Sequence, residues 1–260
     1  MRGAIVDLDG TVYRGDDLIP GADEGVDRLR EQGCSVCFFS NNPRKDGAAY
    51  IERLRGMGVD AREGEACSAG VATASYLADH HADDPVLLVG DEGLAEQIRD
   101  AGVPLTDDPE EAAVLVGSWT SDFDYYDMMD AMDAVDDDTV FLGSDPDRAI
   151  PYTDGRLVPG SGAVVGALAR TVGREPDRVL GKPSEVALDL ALDRLGLSAA
   201  DAEDCLVVGD RLDTDLALGE RAGMTTVLVL SGVSDRADIA DSEVDPDHVI
   251  EDLGEIGDVL

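Results

Sequence analysis

The stretch AIVDLDGTVY, residues 4–13, is an apolar run that halts at two aspartates one residue apart and turns through Gly10 into Thr11. A short aliphatic, β-branched run closed by turn formers predicts a buried strand over AIVDL, residues 4–8. Beyond it, GADEGVDRLREQG (21–33) carries Val26, Leu29 and Arg30 at helical spacing and stops at Gly33. SVCFFS (35–40) is a second strand, and DGAAYIERLRGMG (46–58) and GVATASYLADHH (70–81) are helices. From DDPVLLVGDEGLAEQIRDAG (83–102) the strand and helix rhythm restarts. It continues through AAVLVGS (112–118), YYDMMDAMDAV (125–135), TVFLGSD (139–145) and a helix from about Gly162 to Val172. RVLGK, SEVALDLALDRLG, DCLVVGD, DTDLALGERAG and TTVLVLSG repeat the alternation to the end. Such alternation predicts an α/β fold with a parallel sheet, and the surplus of βα units predicts a second α/β domain inserted into the first.

The chain has 260 residues, 43% of them hydrophobic, enough for a substantial core. No apolar run approaches the roughly 18 residues that span a bilayer, and MRGAIVDLDG lacks the apolar segment of a signal peptide, so a cytoplasmic protein is expected. Against 57 acidic residues stand 20 basic ones, a formal net charge of −37. That field excludes nucleic acid and anionic membranes as partners. Only two of the cations, Lys45 and Lys182, are lysines. The acid-rich, lysine-poor balance resembles proteins of salt-accumulating halophiles, where a Debye length of about 3 Å at molar salt removes most self-repulsion. Cys34 and Cys37 have CxxC spacing but lie on a strand, where residues three apart face opposite ways. They are read as buried thiols rather than a redox pair.

Four times an apolar run gives way at once to polar residues: at Asp7-Leu8-Asp9-Gly10-Thr11, at Ser40-Asn41-Asn42, at Gly181-Lys182-Pro183-Ser184, and at Gly209-Asp210 with Asp213 and Asp215 following. In an open parallel sheet the carboxyl ends of the strands share one edge, where ligands bind. If the four runs are neighbours, carboxylates, hydroxyl and amide donors and one ammonium converge. That set suits phosphoryl transfer with Mg²⁺, a hard cation content with two carboxylates, a carbonyl and waters. Asp7 is the candidate nucleophile, and Asp9 the candidate acid and base toward the leaving oxygen and water. Lys182 and the donors around Ser40 would neutralise charge on the transferring group. A chain that has discarded lysine almost everywhere retains Lys182 where a compact ammonium is wanted.

DLDGT, SNN, GKPS and GDRLDTD, in that order, resemble the four signature motifs of the haloacid dehalogenase superfamily. VYRGDDLIPGA (12–22), SNNPR (40–44), VPGSGA (158–163) and GDRLDTDLALGERAGMTTVLVLSGV (209–233) are similar to its NagD-like and p-nitrophenylphosphatase-like branch. The resemblance implies a Rossmannoid three-layer core over 1–82 and 177–260, with an α/β cap over 83–176 inserted between the second and third motifs. It implies a phosphatase acting on a small phosphomonoester through an aspartyl-phosphate. In it Asp7 is the nucleophile and Asp9 the acid/base; Mg²⁺ is held by Asp7, the Asp9 main-chain carbonyl and Asp210, with Asp215 in support. Ser40, Asn41 and Lys182 bind the phosphoryl group, and Asn42 shapes that loop. Cap loops meet the leaving group in this branch, which makes SDPDRAIPYTDGR (144–156) the candidate substrate loop, with Asp145, Asp147 and Arg148 as contacts. The motifs do not choose among sugar, polyol or other phosphates, and a homo-oligomer is left open.

Two other readings compete. A receiver-like or phosphate-binding module would hold a phosphoaspartate or phosphate without turnover; Asp9 and the insertion argue against it. A dinucleotide-dependent oxidoreductase would use PGSGAVVG (159–166), but its spacing is G-x-G-x-x-x-G and the YTDGRLV before it is a poor buried strand.

Overall fold

The computed structural model describes residues 1–151 and 156–260. The chain begins with β1 (Gly3–Asp7), a hairpin of β2 (Tyr13–Arg14) and β3 (Asp17–Leu18), α1 (Ala22–Glu31), β4 (Ser35–Ser40) and α2 (Gly47–Gly56). It continues through β5 (Ala66–Ser68), α3 (Ala69–His80), β6 (Val86–Val89), α4 (Glu92–Asp100), β7 (Val114–Gly117) and α5 (Tyr125–Ala134). Next come β8 (Val140–Gly143), a second hairpin of β9 (Ala149–Pro151) and β10 (Leu157–Pro159), α6 (Ser161–Val172), β11 (Arg178–Val179) and α7 (Glu185–Leu195). It closes with β12 (Cys205–Gly209), a π-helical turn (Leu212–Leu216), α8 (Ala217–Ala222), β13 (Thr225–Val229), α9 (Asp238–Asp241) and β14 (His248–Ile250).

Two compact units emerge from the contacts. The first comprises residues 1–40, 47–67 and 182–260, built on a six-stranded sheet ordered β14-β13-β12-β1-β4-β5. β1 pairs in parallel with β12 on one side and β4 on the other, setting Val6 opposite Val208 and Asp7 opposite Phe39. Every residue of β1 is buried, as expected for a central strand covered on both faces. One face packs Val6, Val36, Phe38 and Val208 against Val26 and Leu29 of α1, the two aliphatic positions at helical spacing. From β1 the chain goes to β4 on one side and later returns to β12 on the other. The switch in strand order therefore falls at the carboxyl end of β1, where such sheets open a crevice.

The second unit comprises residues 41–46 and 68–181, with a four-stranded parallel sheet ordered β11-β8-β7-β6. Leu87, Leu115 and Phe141 from its strands pack on Val165 and Leu168 of α6.

Three expectations change in detail. The division falls after Cys67 and before Lys182, rather than at 82/83 and 176/177, because α3 packs on α4 and β11 pairs with β8. RVLGK is not a strand of the sheet that holds β1: only Arg178 and Val179 are extended, and they belong to the other sheet. DTDLALGERAG is not one helix, since its first residues form the π turn and α8 begins at Ala217.

Candidate active site

β1, β4 and β12 are neighbours, so three of the four polar sites do meet at one edge of the first sheet. Asp7 ends β1, Ser40 ends β4, and Asp210 follows the last residue of β12. The fourth arrives differently: Lys182 lies in the segment leading to α7 and is buried, only 1% exposed. Its Nζ donates to Asp7 Oδ1 and to the Phe39 carbonyl, each at 2.7 Å, and lies 2.7 Å from Asp215 Oδ1.

Asp7, Asp210 and Asp215 form a buried cluster whose carboxylate oxygens lie within 4.8 Å of one another. Each is held from a second direction. Thr11 Oγ1 donates to Asp7 Oδ2 at 3.3 Å, and the Val233 amide to Asp210 Oδ2 at 2.7 Å. The Arg211 amide donates to Asp215 Oδ2 at 3.1 Å, so the π turn folds this side chain back toward the strand end. The backbone leaves no slack here. A Cβ on Gly232 would stand 1.9 Å from Asp210 Oδ2, one on Gly209 2.3 Å from Asp215 Cβ, and Gly10, at φ +92°, 2.3 Å from Asp210 Oδ2.

Burial and the Asp215 charge drive Asp7 well above the usual carboxylate range, with Lys182 opposing and Asp210 adding to the rise. Burial and Asp215 likewise push Asp210 up to about 7. For Lys182 burial works against the ammonium, yet Asp215 and Asp7 outweigh it and hold the proton above the ordinary lysine range. Three buried carboxylates clustered beside one ammonium leave an excess of negative charge largely shielded from water. A small divalent cation with oxygen ligands fits that donor set.

The remaining expected residues stand as follows. Asp9 is exposed, two residues past Asp7, and pairs as an isolated bridge with Tyr13. Ser40 is buried and accepts from Tyr50 Oη at 3.3 Å. Asn41, Asn42, Asp145, Asp147 and Arg148 are residues of the second unit. There Asn41 Nδ2 donates to Asp147 Oδ1 at 3.4 Å, and Asn42 Oδ1 accepts from the Arg44 amide at 3.1 Å, closing a local turn. Asp145 is buried; it accepts from Ser144 Oγ at 2.9 Å and from the Asp147 amide at 3.2 Å, and burial with the Asp147 charge pushes it up to about 8. Arg148 is exposed. Of the candidate loop 144–156, residues 152–155 lie outside the described residues.

The sequence reading quoted Thr11, Gly232 and Val233 within its motifs but gave them no role, and it passed over Tyr50. Thr11 was legible, four residues on from Asp7 across a glycine turn. Gly232 and Val233 are brought in from a distant part of the chain, with no local signal.

A parallel α/β sheet with a carboxylate and lysine cluster at its switch point defines a Rossmannoid enzyme. A family model described as haloacid dehalogenase-like hydrolase matches residues 4–104, and a HAD-hydrolase-like model matches 179–256. The sugar-phosphatase AraL of Bacillus subtilis is 31% identical over 254 residues, covering 98% of this chain and 91% of the relative. Among solved structures, a p-nitrophenyl phosphatase from Archaeoglobus fulgidus aligns with a TM-score of 0.91 at 39% identity, covering 100% of this chain and 99% of that one. NagD from E. coli aligns at 0.86 and 26% identity, covering 98% of each chain. The chain belongs to the haloacid dehalogenase-like hydrolases.

Proposed function

We propose that this hydrolase removes phosphate from a small phosphomonoester, a sugar or polyol phosphate in the cell and p-nitrophenyl phosphate in the tube. The observation that carries the reading is the buried set of Asp7, Lys182, Asp210 and Asp215 at the end of β1, with Lys182 Nζ 2.7 Å from Asp7 Oδ1. The relatives' names, sugar phosphatase and p-nitrophenyl phosphatase, support the substrate class.

In this reading a carboxylate oxygen of Asp7 attacks phosphorus as the bond to the leaving oxygen breaks, and Asp9 gives that oxygen its proton. Asp9 then takes a proton from water, whose oxygen attacks the aspartyl-phosphate. The bond to Asp7 breaks, inorganic phosphate leaves, and both carboxyls are restored. Lys182 and Ser40, with Asn41 next to it in the chain, hold the phosphoryl oxygens. Bound to Asp7, the Asp9 carbonyl, Asp210 and the supporting Asp215, Mg²⁺ would supply charge neutralisation for the transferring group. In this reading the first unit is the catalytic core and the second the inserted cap, which carries Asp145, Asp147 and Arg148 as candidate substrate contacts. No described helix is long and apolar enough to cross a membrane, consistent with a cytoplasmic enzyme.

The test is phosphate release from p-nitrophenyl phosphate and a panel of sugar and polyol phosphates, at molar KCl, with and without Mg²⁺, for wild type and Asp7→Asn. Magnesium-dependent turnover lost in Asp7→Asn is the expected result. Folded wild-type protein that releases phosphate from no ester would refute the reading.

A further inference from the structure

Ser40 has a partner that its motif does not contain. Tyr50 lies on the buried face of α2, 1% exposed, and its hydroxyl donates to Ser40 Oγ at 3.3 Å. With the phenol as donor, the serine oxygen accepts that bond and its own O–H serves as donor in another, so the direction of the Tyr50 bond sets where Ser40 can aim its proton. Linked hydroxyls of this kind also polarise one another in a low-dielectric site.

The phenol is well held. At the start of α2, a Cβ on Gly47 would stand 2.3 Å from the Ala66 carbonyl, so the helix packs on β5 at a separation that fixes its height. One turn beyond Tyr50, the Arg53 guanidinium lies over the ring of the fully buried Tyr13, 4.2 Å from its centre. Burial keeps the Tyr50 hydroxyl protonated far above its ordinary range, with the Ser40 hydrogen bond opposing. A group in this position is a permanent donor.

We propose that Tyr50 is a positioning residue of the phosphoryl site, whose hydroxyl orients Ser40 so that Ser40 donates to a phosphoryl oxygen. The inference rests on the phosphatase reading for the identity of the ligand. In this role Tyr50 acts through the serine, the partner its hydroxyl bonds.

The test is a double-mutant cycle on wild type, Tyr50→Phe, Ser40→Ala and the double variant. It measures inorganic phosphate affinity by calorimetry at molar KCl with Mg²⁺, kcat and KM for p-nitrophenyl phosphate, and Tm. One neutral hydrogen bond contributes on the order of a fivefold change in affinity. Tyr50→Phe is expected to weaken phosphate by about that factor with Tm little changed, and to add nothing in the Ser40→Ala background. Unchanged phosphate affinity in Tyr50→Phe, or an equal loss in both backgrounds, would overturn the proposal. Wild type that binds phosphate but hydrolyses no ester would refute the phosphatase reading alone, and the affinities would still decide the role of Tyr50. Wild type that neither binds nor hydrolyses overturns both.

Discussion

Lys182 concentrates the chemistry of the site in one atom. Its Nζ meets Asp7, Asp215 and the Phe39 carbonyl within 2.7 Å in a space with almost no solvent. A planar guanidinium is too large and too rigidly forked to make those three contacts from the same backbone position. Lys182→Arg is therefore expected to lower kcat by at least ~100-fold, the scale seen when one preorganised charge-stabilising donor is lost. Steady-state kinetics on protein of verified fold checks this, and activity within a few-fold of wild type would contradict it. Asp145 offers a residue-level test of stability. In the folded chain its carboxyl is pushed up to about 8, against an ordinary value of 3.8. The unfolded chain ionises first as pH rises, so the stability tied to the neutral carboxyl is complete below about 4 and drains away toward about 8. Asp145→Asn removes that titration. Denaturation midpoints measured across the window should fall less steeply for the variant than for wild type, and equal slopes would show that Asp145 is ionised in the fold.

Among the elements, α7 has a role beyond packing, because it begins three residues after the lysine. Ser184 caps it, its Oγ accepting from the Ala187 amide at 3.1 Å, and Gly196 closes it in the left-handed region. Ser184→Ala should cost about 1 kcal/mol of stability, the usual worth of an N-cap. The loss should appear in urea unfolding, and a change under a few tenths would mean that the segment from Lys182 is held mainly by the ion pairs. The long helices were legible because a repeat of 3.6 residues over ten or more positions is unambiguous: α1, α2, α3 and α7 agree with their predicted spans to within a residue or two. Short elements were not. The hairpins β2/β3 and β9/β10 have strands of two or three residues, too brief for period-two alternation to register. β11 is two residues long, and which sheet it joins depends on distant partners. In DTDLALGERAG (213–223) the apolar spacing suggested one helix. There the Asp215 side chain, bonding back to the Arg211 amide, accompanies a wider first turn.

At the scale of the whole molecule, the charge of −37 is the dominant fact outside the active site. In dilute buffer this surface repels itself, and at 1 M salt the screening length shrinks to about 3 Å. The unfolding temperature is expected to rise as KCl goes from 0.1 M to 2 M, and activity at low salt to fall with loss of fold. A melting point independent of salt would refute a halophilic adaptation.

The sequence by itself determined the alternation of the longer strands and helices, the existence of an insertion, and the candidacy of Asp7, Ser40, Lys182, Asp210 and Asp215 for the site. Local periodicity and abrupt strand-to-polar transitions are written in neighbouring residues, and the motifs are each only a few residues long. Only the tertiary structure decided that Lys182 reaches the site from a helix entry rather than a strand end. The same holds for the division falling before α3, for Gly232 and Val233 clasping Asp210 from 22 and 23 residues away in sequence, and for Tyr50 standing behind Ser40. Those facts depend on which segments pack together. Packing is set by the complementarity of whole surfaces, and no short window of sequence contains that.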